Sequence, residues 1–288
     1  MELTLLAQGL VSGVLAAGLY ALVSVGLALA IGVIGVINFA HGEFFMVGAF
    51  LAYQLFVSLG FDPLLSLVFV APALFVIGAL IYLSTIRYVL QAPELNQMLL
   101  TFGLSIILQN LALLIWGGDP RSISGVPYRS VGLQVAGVSI GLVPLGSFVI
   151  SLVLVVGLYA LLARSRLGRA MRAVAQNRVG ASLVGLEVDR IYLVAFALSA
   201  LLAGIGGVMI AVIQSPTPTV GFAFTLKAFA IVVLAGLGNI RGILWASLAV
   251  AVSESLVATL VPNGDSLRNA VFFAIIFVVL IVRARRTA

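Results

Sequence analysis

Long apolar runs follow one another along the chain, separated by short polar or glycine-rich breaks. A helix needs about 20 apolar residues to cross a bilayer core. Runs that meet or approach this length are Leu5–Ile34, Phe44–Leu59, Leu64–Leu83, Met98–Trp116, Val143–Ala163, Tyr192–Ile213, Ile243–Leu260 and Ala270–Val282. A shorter run, Leu226–Ala235, leaves room for a short re-entrant helix. The pattern predicts an all-α polytopic integral membrane protein of about eight transmembrane helices, with residues 1–288 forming a single transmembrane domain. Leu5–Ile34 is too long for one straight span and holds five glycines, which predicts a surface helix followed by a broken one.

The segment Arg164–Arg190 interrupts this pattern. It carries six arginines (164, 166, 169, 172, 178 and 190) against two acids, Glu187 and Asp189. Leu167, Met171 and Val174 fall at i, i+4, i+7, and Leu183, Val184 and Leu186 form a second apolar set. That spacing predicts one or two short amphipathic helices. Because arginine resists translocation, the segment belongs on the cytoplasmic side, together with Arg87 and the tail Arg283–Arg286. Gly117–Ile140, rich in glycine, proline and serine, then falls outside. A structured basic pad between spans reads as a docking surface; a solvated topology loop with no partner is the plainer reading.

Two breaks share a composition. Gly35-Val36-Ile37-Asn38-Phe39-Ala40-His41-Gly42-Glu43 and Gly236-Leu237-Gly238-Asn239-Ile240-Arg241-Gly242 each combine glycines, one asparagine and a charged or imidazole group. Irregular backbone at membrane depth survives only where protein buries it or a wet cavity hydrates it, and broken helices mark substrate paths in transporters. Asn38, Phe39, His41 and Asn239 are therefore the candidate path residues, and ordinary surface turns are the competing reading. Glu43, Lys227, Arg241 and Glu254 lie in or beside apolar helices, where each charge needs a partner. Glu43 with Arg241 and Lys227 with Glu254 are two available pairings. Gly204, Gly206 and Gly207, with Ala200 and Ala203, predict a close-packed helix face.

Composition narrows the function. With 63% hydrophobic and 8% charged residues the partner is the lipid bilayer, and the net charge of +6 sits beside the spans, so nucleic acid is not implied. There are no cysteines and a single histidine, so neither a disulfide framework nor a zinc site is expected. No phosphate-cradling glycine loop, nucleophile elbow or paired carboxylates occur, so the chain reads as a transporter rather than an enzyme, without a cofactor.

The stretch from Gly18 to Gly48, centred on Asn38-Phe39-Ala40-His41-Gly42-Glu43, resembles the permease subunits of branched-chain amino-acid ABC importers, the LivH type. The likeness continues through Thr101–Asn110, Ser165–Leu186 and Lys227–Gly242, nearly end to end. It implies ATP-driven import of a small hydrophobic amino acid across the bacterial cytoplasmic (inner) membrane. The implied partners are ATP-binding subunits, a second, homologous membrane permease subunit and a periplasmic or extracellular substrate-binding protein. It also makes 164–190 the coupling segment, with Arg178, Ala181, Ser182, Leu183 and Gly185 facing the ATP-binding subunit. Many ABC importers carry Glu-Ala-Ala, three residues, then Gly in this loop; only Ala181 and Gly185 match here. The broad family also includes permeases for urea and short amides, and a stand-alone secondary transporter or passive channel remains open from the residues alone.

Overall fold

The computed structural model describes residues 2–236, 238–261, 264, 267, 270–277 and 281. Helices dominate, in the order α1 (Glu2–Ile34), α2 (His41–Leu59), α3 (Leu67–Ile81), α4 (Arg87–Val89), α5 (Glu94–Trp116), α6 (Leu142–Arg164), α7 (Arg166–Gln176), α8 (Arg178–Leu183), α9 (Val188–Ile213), α10 (Val220–Ala235) and α11 (Ile240–Leu260). A π turn at Tyr82–Ile86 joins α3 to α4, so Leu67–Val89 is one rod. Among the described residues seven helices are long and apolar enough to span a bilayer, and α10 is a shorter apolar helix. The predicted run Ala270–Val282 is helical at 270–277 and 281, and the tail Arg283–Arg286 lies outside the described residues.

One expectation fails at the N-terminus. Rather than a surface helix and a broken one, α1 is a single helix of 33 residues. Four of its five glycines, Gly9, Gly13, Gly18 and Gly26, are close-approach points rather than breaks, and Gly32 meets nothing within 4 Å. A Cβ on Gly13 would lie 2.6 Å from Val252 Cα of α11, and one on Gly26 would lie 3.1 Å from Ser199 O of α9. At 1.5 Å per residue α1 is roughly 50 Å long, well beyond the roughly 30 Å of a bilayer core. The excess is used outside. Gln8 accepts from Ser139 N at 2.8 Å and donates to Ser139 O at 3.0 Å, holding a β-hairpin against the helix.

That hairpin, β1 (Gly132–Val135) and β2 (Val138–Gly141), was not foreseen. Its two-residue turn, Ala136-Gly137, has φ of 50° and 82°, the doubly positive conformation that matches strand twist. Nearby, the Tyr128 hydroxyl donates to Asp62 at 2.9 Å, fastening the 117–141 segment to the loop before α3. Burial first, and then this bond, pushes the Tyr128 phenol above the usual tyrosine range, so it stays a donor across physiological pH.

The central layer is α1 and α9, the most deeply buried spans. Around α9 the predicted small-residue face closes on α2 and α3. A Cβ on Gly207 would lie 1.9 Å from Phe45 O, one on Gly48 2.2 Å from Gly204 O, and one on Gly78 2.6 Å from Ala200 Cβ. Backbones in contact at this spacing leave no room for a methyl group, which is how helices associate where lipid provides no hydrophobic drive. In contrast, α3, α5 and α6 turn most of their surface outward.

Tracing the chain puts Arg87, α7, α8 and the start of α11 at one end and 117–141 at the other, the separation that the arginine distribution predicts. Ser130 and Asn177 are both exposed. Single cysteines placed there in this cysteine-free chain should react with an impermeant maleimide from opposite sides of sealed vesicles. Labelling from the same side would overturn the span order.

Candidate functional site

Gly35, at φ +82°, ends α1 and turns the chain out of the helix. Residues 36–40 then run back alongside it. By His41, where α2 begins, Nε2 sits 2.9 Å from Val23 O, eleven residues before the end of α1. At the α-helical rise that is roughly 16 Å inward, so α2 starts near the middle of the bilayer. The first glycine–asparagine break is therefore a discontinuity at membrane depth, not a surface turn.

Broken backbone in that position needs partners for its polar groups. Asn38 Oδ1 accepts from Ala40 N at 3.0 Å, a local turn. Two threonines from other helices do the rest. Thr101 of α5 donates to Ile37 O at 3.1 Å or to Met98 O at 3.1 Å, and accepts from Phe39 N at 3.2 Å. Thr225 of α10 accepts from Gly42 N at 2.8 Å, its proton directed to Phe39 O at 3.3 Å or Gly221 O at 3.2 Å. His41, fully buried, also meets Ser199 Oγ through Nδ1 at 3.3 Å, so both ring nitrogens are engaged. Sequence reasoning passed over Thr101 and Thr225. The available signal at Thr101 was a polar row on one helix face, Gln97, Thr101 and Ser105 at i, i+4 and i+8; Thr225 offered only a hydroxyl that an ordinary intrahelical bond would also explain.

Glu43 follows two residues after His41 and is completely buried. The Ser105 hydroxyl donates to its Oε1 at 2.8 Å. Its place in the first turn of α2 puts the carboxyl at the positive end of the helix dipole. The alternative pairing with Arg241 does not form: Arg241 is exposed in the first turn of α11, its guanidinium 6.0 Å from the Tyr159 ring. Asn38 Nδ2 and Glu43 Oε2 are buried with no hydrogen-bond partner among the described residues. Beside these polar groups the Phe39 ring stacks on Phe229 at 5.5 Å and meets the edge of Phe102 at 6.4 Å. Phe102 is exposed and Phe39 partly so, which opens an aromatic window on the broken segment between α5 and α10.

The second break is of another kind. Asn239 is exposed, and its Oδ1 caps α11 by accepting from Gly242 N at 3.0 Å; Leu237 lies outside the described residues. It is not brought to Asn38 and His41. Thr225, which touches Phe39, precedes Ala235 by ten residues of α10, roughly 15 Å.

The predicted basic pad is two helices set against the bundle. Ser165 caps α7 through Gly168 N at 2.9 Å, and Asn177 caps α8 through Gly180 N at 2.8 Å. Met171 and Val174 face inward. Ala181 also packs inward, buried by its own chain, so it presents nothing to a partner. Arg178, Ser182, Leu183 and Gly185 are exposed, as are Val179 and Val184. Gly185, at φ +84°, closes α8 in a Schellman turn, with Leu186 N to Ala181 O at 3.1 Å. A cavity of about 530 Å³ opens between α8 and the start of α9, lined by Arg178, Ser182, Glu187 and Arg190 among others.

Of the intramembrane charges, Lys227 and Glu254 do pair, Nζ to Oε2 at 2.8 Å. Tyr20 of α1 completes the cluster, accepting from Lys227 at 2.8 Å and donating to Glu254 at 2.7 Å.

Comparison with known proteins identifies the family of the chain. Residues 9–280 match the family described as branched-chain amino acid transport system / permease component. The chain is 33% identical to the high-affinity branched-chain amino acid transport system permease protein BraD of Pseudomonas aeruginosa, over 96% of this chain and 93% of that one. It is 30% identical to the permease protein LivH of Escherichia coli K12, over 96% and 92%. The permease protein LivM of the same organism is 29% identical, over 83% of this chain and 61% of that one. No solved structure matches. A multi-pass bundle with a helix broken at mid-membrane and a capped basic pad on one face belongs, with those proteins, to the family of branched-chain amino acid transport permeases.

Proposed function

We propose that this chain carries a small hydrophobic, branched-chain amino acid inward across the bacterial cytoplasmic membrane, as one of two paired permease subunits. The observation that carries this reading is the discontinuity at 35–40. A buried break next to an aromatic window gives mostly apolar walls with a few fixed polar groups, which suits a branched aliphatic side chain. Asn38, Phe39 and His41 are the residues assigned to the route. Asn239 contributes by fixing the start of α11 at its cytoplasmic end. The energy comes from ATP-binding subunits seated on α8, where Val179 at 66%, Leu183 at 82% and Val184 at 77% exposure group into an apolar patch, the kind of surface that marks a protein contact. Arg178, Ser182 and Gly185 frame that contact, and Ala181 supports it from beneath. A binding protein would deliver substrate at the 117–141 face.

Secondary transport is the weaker reading. Lys227 and Glu254 already neutralise each other, and Arg241 lies at the surface, which leaves Glu43 as the only unpaired intramembrane charge among the described residues. Uptake of leucine, isoleucine, valine and urea by the reconstituted complex tests the proposal. Transport of the amino acids should require ATP and persist with an uncoupler, and urea should not compete. Leu183→Asp should cut uptake more than about tenfold and release the ATP-binding subunits, since a carboxylate at the centre of an apolar contact costs several kcal/mol. Uptake that collapses with the proton gradient, or an unaffected Leu183→Asp, would defeat the ABC reading.

A further inference from the structure

We propose that the pocket between the cytoplasmic end of the Leu67–Val89 rod and the start of α9 binds a free zwitterionic α-amino acid with an apolar side chain, through which imported product slows further import. This site presupposes the amino-acid import assigned above and adds regulation to it. The pocket has a volume of about 290 Å³ and is lined by Tyr82, Leu83, Arg87, Glu187, Asp189 and Leu193 among others. Ligand pockets run from about 300 to 1,000 Å³, so this one suits a very small molecule. Its depth follows from the helices. Ser199, which meets His41 near mid-membrane, follows Asp189 by ten residues of α9, roughly 15 Å. On the rod, Gly78 packs against Ala200, and Arg87 lies nine residues further on, roughly 14 Å. Both walls therefore end at the cytoplasmic water interface, where product emerges.

The lining matches a zwitterion. Arg87 and Asp189 have no ionic partner within 4 Å among the described residues, where the ion pairs are Arg190–Glu187 and Lys227–Glu254. Arg190–Glu187 is long, at 3.9 Å, and highly exposed, so it holds its members weakly. Tyr82 is 1% exposed, yet its hydroxyl has no hydrogen-bond partner among the described residues. A buried hydroxyl left in that state is costly, and Asp189 and Arg87 both lie within electrostatic reach of it. The π turn that begins at Tyr82 adds to this, since such turns gather at functional sites. In the bound state Arg87 takes the α-carboxylate through two parallel hydrogen bonds, and the Tyr82 hydroxyl donates to the same group. Asp189 takes the α-ammonium, and the aliphatic side chain lies on Leu83 and Leu193. A ligand held this way ties the rod to α9. Glu187, Asp189 and Arg190 also line the 530 Å³ cavity beside the α8 patch, so fixing them fixes one wall of the coupling contact.

Equilibrium dialysis of labelled leucine against the assembled transporter in nanodiscs, without ATP or binding protein, tests the site. Arg87→Gln, Asp189→Asn and Tyr82→Phe should each weaken binding about tenfold, the contribution of one hydrogen bond to a charged group. Arg169→Gln, an exposed arginine of α7 outside the pocket, should bind as the parent does. Valine should compete, whereas isocaproate and isoamylamine, each lacking one of leucine's two charges, should not. With ATP added, leucine should slow hydrolysis severalfold in the parent and leave Arg87→Gln and Asp189→Asn unaffected. In sealed vesicles both variants should import at the parental rate when the lumen is empty, and should escape the inhibition that internal leucine imposes on the parent. The site is overturned if these variants bind leucine normally, if isocaproate competes as well as valine, or if leucine slows their hydrolysis as it slows the parent's. It also fails if a cysteine at Leu83 crosslinks to an ATP-binding subunit, since protein then fills the pocket. Leucine held through Arg87 and Asp189 by a complex that hydrolyses ATP more slowly in its presence, yet imports none, would uphold the site and fault the import reading instead.

Discussion

Gly42→Ala is expected to bring uptake to background and to lower the unfolding temperature of the permease sharply. A methyl group there would lie 1.9 Å from Gly221 O and 2.5 Å from Thr225 Oγ1. The nearer atom is backbone, so no side chain can rotate away. Relief requires α10 to retreat from the start of α2, which breaks the Gly42 N to Thr225 bond at 2.8 Å and uncovers the break it serves. Overpacking alone costs roughly 1–3 kcal/mol, and the lost bond to a buried donor adds roughly 1–3 kcal/mol. Gly103→Ala on α5, where nothing lies within 4 Å, is the control and should be silent. If Gly42→Ala transports and melts like the parent, the two helix starts do not cross as tightly as described.

Lys227→Met should be the most destabilising single change among the charged residues. The pair lies between α10 and α11, with the lysine side chain 14% and the glutamate 5% exposed. Removing one partner strands the other charge at membrane depth, at a cost of about 3–5 kcal/mol. Replacing both, as Lys227→Met with Glu254→Leu, should restore most of the loss, because an apolar pair carries no desolvation penalty. Thermal unfolding of the single and double variants measures this. A double variant less stable than either single one would show that the cluster does more than neutralise itself. Uptake by a recovered double variant would also show that the pair serves packing, with neither Lys227 nor Glu254 needed to carry a proton.

Most of the helices were legible because lipid imposes one requirement, a continuous apolar run of sufficient length. The pad was legible for the opposite reason: Met171 and Val174 are apolar in a segment that has little else to bury. What failed to read was direction and depth. Ala181 counts as an apolar position in either orientation, and only the packed helices show that it faces its own chain. Five glycines in α1 looked like interruptions because glycine both loosens a helix and admits a neighbouring backbone, and only the neighbour decides which. The two glycine–asparagine breaks have nearly the same composition, yet one caps an exposed helix and the other is buried. Their difference lies in Thr101 and Thr225, which lie 62 and 183 residues from the groups they serve.

That separation has a bearing on how the chain is made. Phe39 and Gly42 leave the ribosome long before Thr225 is translated, so the N-terminal hairpin enters the bilayer with backbone groups that no finished helix yet satisfies. An unsatisfied amide in hydrocarbon costs several kcal/mol, and the hairpin's resting place until then is the headgroup region or a water-filled insertase. α2 can descend to its final depth only after α10 arrives with its hydroxyl. The first and last thirds of the permease therefore mature together, and a nascent chain halted before α10 leaves the Gly42 amide without its acceptor.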